Sequence, residues 1–130
     1  MTRGERLNNP GDIRHMAGTV WEGQSAVQSD EDFVEFTDPI YGIRAIAGIM
    51  MSYEREGLQT IAEIIDRWAP PNENNSAAYV VDVCAQCNIG PDEPIDYGAV
   101  MPQLVTAIIH HECGEVAYTP AQIAEGISLA

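Results

Sequence analysis

Lysine is absent from this 130-residue chain: all six basic residues are arginine, set against 20 Asp and Glu, for a formal net charge of −14. Nucleic acid and anionic membrane surfaces are therefore excluded as expected partners, because Lys and Arg contacts to phosphate supply most of that attraction. The carboxylates are spread along the chain, with Asp30, Glu31 and Asp32 the densest run, which fits a solvated surface better than a DNA-mimicking tail. Long apolar runs are also missing. None approaches the roughly 18 residues that span a bilayer, and the opening MTRGERLNNPGD lacks the apolar core of a signal peptide. The expectation is a chain made in the cytoplasm without a signal peptide, which leaves it only through a carrier, a pore or lysis.

Cysteine is scarce and odd in number. Cys84, Cys87 and Cys113 suit free thiols better than a disulfide framework. Cys84-x-x-Cys87 with His110, His111 and Cys113 is the one set that could supply zinc ligands, but Cys84 and Cys87 fall on an apolar helix face, where free cysteine acts as a small hydrophobe. No metal and no cofactor is expected. There is no internal repeat and no low-complexity tract, and 45% hydrophobic residues is ordinary for a globular chain. Together these predict one domain over residues 1–130.

Residues 1–41 are rich in Gly, Asn, Asp and Pro and carry almost no helical periodicity, so they read as an irregular lobe with a short β-ribbon through Val34, Glu35 and Phe36. The remainder reads as helix. Ile43, Ile46, Ile49, Met50 and Tyr53 recur at steps of three and four between Gly42 and Glu56. Thr60 with Glu63 forms a capping-box pattern before Ile61, Ile64, Ile65 and Trp68, and Pro70 and Pro71 stop that helix. A third helix spans about Ser76 to Cys87. After a turn-rich connection in which Asp96 caps a short turn, another runs to Glu112 with Pro102 near its first turn, and Gly114 ends it. Thr119, Pro120 and Gln122 open a last helix that buries Ile123 and Ile127. The fold class is mostly α.

Glu112 is the residue best placed for chemistry. It follows Ile108 by four positions on an apolar face, at the C-terminal end of its helix, where desolvation and the negative end of the helix dipole both raise a carboxyl pKa. That is the setting of a general acid. The same pattern also suits a glutamate edging into solvent at a frayed helix end.

The stretch VTAIIHHECGEVAYT resembles the catalytic helix of lysozyme-like lytic transglycosylases, with the match on Glu112, Cys113 and Gly114. NNPGDIR, Trp21 with Gly23, FVEF and YGIRA resemble elements that follow that helix in those families, but here they precede it. The resemblance therefore implies a circularly permuted lysozyme-like domain, with Asn9 and Gly11 packed beside the end of the Glu112 helix. Nearly end to end, the chain is also similar to a family of small bacteriophage virion or structural proteins, through RGERLNNPGDIR, WEG, FVEF, YGIRA, RWAPPNEN, Tyr79 to Val83 and AIIHHECG. It departs from that family's pattern at Leu7, Asp12 and Cys113, where Asn is usual, which puts substrate contact at Leu7 and Asp12 in doubt.

The resemblance implies a phage-type lytic transglycosylase or muramidase cutting the β-1,4 bond between N-acetylmuramic acid and N-acetylglucosamine. Glu112 would be the catalytic acid and base, with Asn9, Tyr41, Glu73 and Trp21 binding substrate. The implied partners are peptidoglycan glycan strands and other virion proteins, after synthesis in a host cytoplasm and association with the virion or release to the cell wall. The alternative is a non-catalytic virion structural or host-factor-binding protein with the same fold. A groove lined by Glu112, Tyr41, Asn9 and Glu73 would favour the enzyme, and Glu112 packed under another helix the module.

Overall fold

A computed structural model describes all residues from Met1 to Ala130. Just over half of them lie in six helices: α1 Arg3–Arg6, α2 Pro39–Arg55, α3 Ile61–Trp68, α4 Ser76–Cys87, α5 Tyr97–Cys113 and α6 Pro120–Ser128. The mostly α expectation holds. Helix α5 is the axis of the molecule, packed by α1, α2, α4 and α6. Leu104, Val105, Ala107, Ile108 and Ile109 are all fully buried, so this helix is apolar around most of its circumference, as a helix enclosed on several sides must be. One contiguous core joins it to Ile43, Ile46 and Met50 of α2, to Ile61, Ile64 and Ile65 of α3, and to Ile13, Val34 and Phe36 of the N-terminal lobe.

The helix ends follow their capping chemistry. The Thr60 and Asn75 side chains accept from the Glu63 and Ala78 amides, and Thr119 forms a reciprocal capping box with Gln122. Gly114, at φ 79°, takes the left-handed position that closes α5. Two boundaries differ from expectation. Helix α2 begins at Pro39, because the Asp38 side chain accepts from the Ile40 amide and Pro39 suits the first helical position. The separate turn expected after Asp96 is instead the first turn of α5. Pro102 consequently sits inside the helix rather than near its start, and α5 forgoes one backbone hydrogen bond there.

The N-terminal lobe contains a short helix, α1, within the segment expected to be loop. Thr2 and Glu5 make the reciprocal capping box that forms it. The expected ribbon through Val34 to Phe36 is reduced to two isolated antiparallel bridges, Arg14 with Phe33 and Gln24 with Phe36. Side chains interrupt the ladder. Val34 O accepts from Asn9 Nδ2 at 2.8 Å, and the Glu35 amide donates to Gln28 Oε1 at 2.8 Å. The 0% exposed Asn9 also donates to Ile13 O and accepts from Ile13 N, both at 2.9 Å. Gly42 of α2 lets the lobe settle close, since a Cβ there would stand 2.2 Å from Asn8 O.

Asn9→Ala strands the buried Ile13 amide and Val34 carbonyl together. The expected loss is about 3 kcal/mol, or roughly 10 °C in Tm, read by thermal melting. A melting temperature within a degree or two of the parent chain would show that Asn9 does not hold the lobe.

Candidate active site

An open cleft of about 670 Å³ lies between the N-terminal lobe and the α2–α3 side of the helical core. Glu112, in the last turn of α5, forms part of its wall. Tyr79 Oη donates to Glu112 Oε2 at 2.7 Å, and Trp68 Nε1 donates to Tyr79 Oη at 3.0 Å. The indole can only donate, so the tyrosine hydroxyl accepts from it and is left to direct its own proton at the carboxyl. His111 stacks on Tyr79, with ring centroids 3.6 Å apart, and is tied through Nδ1 to Asp82 Oδ2 at 2.9 Å. One oxygen of Glu112 is thereby fixed by a rod of side chains running across α3, α4 and α5.

Asp12 stands on the other side of the glutamate. It has a left-handed backbone at φ 48°, its side chain is 16% exposed, and it lies 3.5 Å from the Arg3 guanidinium. Its carboxyl is within hydrogen-bond reach of Glu112. Burial pushes Glu112 above the ordinary carboxylate range and the Asp12 charge pushes it further, against the opposing Tyr79 hydrogen bond. Burial likewise raises Asp12, with Arg3 opposing. Two desolvated carboxyls in contact favour a shared proton, and Tyr79 leaves that proton to Glu112 Oε1.

Of the residues proposed to bind substrate, Trp21 and Glu73 line this cleft with Glu112. Asn9 does not: all its hydrogen-bonding groups are committed inside the lobe, so it shapes the loop without reaching a ligand. Tyr41 is also outside the lining, packed over Gly23. The N-terminal loop does pack beside the end of α5, where Cys113 Sγ lies 3.4 Å from Pro10 O. Trp68, which its helical spacing places in the core, is half-buried and exposes an edge to the cleft. The sequence reading missed Asp12 and Tyr79 as partners of Glu112. The motif matches on either side of each were the available signal.

The three cysteines are unpaired, and no group of three or more His, Cys, Asp or Glu side chains is placed to hold a metal ion. Burial pushes the Cys87 and Cys113 thiols up to about 11, away from nucleophilic reactivity. No helix is long and apolar enough to cross a membrane.

No family model matches the chain. Protein P5 of Pseudoalteromonas phage PM2 is 36% identical to it over 127 residues, which cover 95% of this chain and 79% of that protein.

Because Glu112 is raised in the folded state, the fold binds more protons than the unfolded chain just above the ordinary carboxylate pKa of 4.5. Stability contributed by this group is therefore present at low pH and declines as pH rises through that window. Glu112→Gln, which still accepts from Tyr79 and can donate to Asp12, should raise the melting temperature at pH 7 by a few degrees. That gain should vanish toward pH 4. A gain of the same size at both pH values, or a loss at pH 7, would contradict the buried carboxyl pair.

Proposed function

Since the chain belongs to the same family as Protein P5 of Pseudoalteromonas phage PM2, we propose that it is a phage peptidoglycan-cleaving domain of lysozyme-like, circularly permuted type. It would act on the β-1,4 bond between N-acetylmuramic acid and N-acetylglucosamine as a lytic transglycosylase or muramidase. The observation that carries this reading is Glu112: a desolvated carboxyl with a raised pKa, held by Tyr79 on one oxygen and facing an open cleft. A general acid must keep its proton at working pH and present it to the leaving oxygen, and this setting favours both.

Glu112 Oε1 would give its proton to the glycosidic oxygen as the anomeric bond breaks. The resulting carboxylate would take a proton from the attacking hydroxyl. Two-carboxylate glycosidases hold their carboxyls roughly 5–9.5 Å apart to fit a sugar carbon, with or without a water. Asp12, in contact with Glu112, is too near to be such a partner. It serves instead to keep the proton on Glu112. Transglycosylation needs no second carboxylate, since a hydroxyl of the muramyl residue attacks its own anomeric carbon and leaves an internal anhydro end. A muramidase would draw its second carboxylate from Glu73 in the same cleft. The Trp21 face in the same cleft suits stacking against a sugar ring. Glycan strands are the proposed partner, with the domain carried in the virion beside other virion proteins or released to the wall.

Glu112→Gln should leave the fold intact and lower the rate of peptidoglycan cleavage by about two to four orders of magnitude. The measurement is turbidity clearing of purified peptidoglycan, with mass analysis of the released ends to separate anhydro from reducing products. Clearing by the variant at the parent rate would remove Glu112 from the chemistry. Absence of cleavage by the parent chain would favour the non-catalytic virion or host-factor-binding alternative.

A further inference from the structure

Charge is spread unevenly over this acidic molecule. Away from the cleft, Arg44 pairs with Glu22 at 2.7 Å and Arg67 with Glu56 at 2.6 Å. On the cleft wall, Arg3 and Arg14 both lie over the ring of Phe33, their guanidinium carbons 3.6 and 4.6 Å from its centroid. Phe33 is 6% exposed and so holds both cations in place. Arg3 has only the 3.5 Å contact to Asp12, and Arg14 makes no ion pair. Two of six basic groups in a chain of net charge −14 thus stand together on one wall of one cleft.

One other polar atom of the lining residues, Trp21 Nε1, is buried without a hydrogen-bond partner. Unpaired buried donors and acceptors are rare in folded proteins, and a ligand is one way of satisfying them. A guanidinium stacked by its face on an aromatic ring keeps its N–H edge free, and that edge matches a carboxylate in a bidentate geometry.

We propose that Arg14, with Arg3 beside it, reads a carboxylate on the bound glycan, so that the cleft prefers carboxylate-bearing muramyl strands to neutral ones. The inference rests on the peptidoglycan reading above. The carboxylate has two chemical sources: the stem peptide, or the lactyl group of a muramic acid whose peptide has been removed. Arg14 is a binding and specificity residue and takes no part in proton transfer.

The test uses three preparations of one peptidoglycan: intact, stripped of its peptides by an amidase so that only lactyl carboxylates remain, and carbodiimide-amidated so that none remain. Co-sedimentation of the Glu112→Gln chain reads recognition without cleavage, and kcat/KM of the parent chain reads it with cleavage. The expected result is a preference for intact over amidated material of roughly threefold to tenfold, the scale of a partly exposed charge-assisted contact. It should shrink as salt is raised. Arg14→Gln should bring that ratio close to one, while Arg14→Lys should keep part of it. Stripped strands that behave like intact ones identify the lactyl carboxylate, and stripped strands that behave like amidated ones identify the stem peptide. Equal sedimentation with intact and amidated preparations, or a ratio untouched by Arg14→Gln, overturns the proposal. A parent chain that cleaves nothing, while the carboxylate preference in sedimentation persists, overturns the peptidoglycan-cleaving reading alone.

Discussion

The Asn9 side chain is the constraint on which the N-terminal half depends. Residues 7–38 contain no regular element, so their backbone polar groups cannot be satisfied by helix or sheet ladders. One buried amide supplies two donors and one acceptor, joining Ile13 to Val34 and closing the loop that carries Gly11 and Asp12. Its burial is tolerable because every one of those groups is met, whereas a partly satisfied amide at this depth would cost more than it contributes. The loop closed in this way brings Asp12 against the end of α5.

From that placement follows the electrostatic character of the cleft. Asp12 and Glu112 come from opposite ends of the chain, 100 residues apart, and share a desolvated wall. Nearby cations oppose this only in part: Arg3 is 3.5 Å from Asp12, and His111 is tied to Asp82. Repulsion and burial then act in the same direction and favour a retained proton. Tyr79, itself buried and braced by Trp68, keeps the carboxyl from turning away. The acidity of the chain as a whole plays a different part. With six arginines against 20 carboxylates, a cleft wall that holds two of the arginines stands out from the composition of the chain.

The helical core was legible because its signals are local. The i, i+3, i+4 pattern at Ile61, Ile64 and Ile65 and the caps at Thr60 and Thr119 involve residues within four positions of each other, and each appears where the spacing places it. Glu112 stood out for the same reason, since its helix face and helix end are both readable from neighbours. Pro102 misled because a favoured first-turn residue is tolerated in an interior turn when the surrounding packing is strong. Asn9 and Tyr41 misled because polar and aromatic residues in turn-rich segments look alike whether they face a ligand or support the fold.

By itself, then, the sequence determined the class of the protein: a helical chain, strongly acidic, with one carboxyl at an apolar helix end. Tertiary structure alone decided which side chains surround that carboxyl. Asp12 is 100 residues away from Glu112, Tyr79 is 33 and Trp68 is 44, and no periodicity links positions so far apart. Their meeting depends on how the lobe docks across α2 and α5. That docking is set by the complementarity of many buried surfaces at once, such as Asn8 against Gly42 and Pro10 against Cys113, rather than by any local preference of the chain.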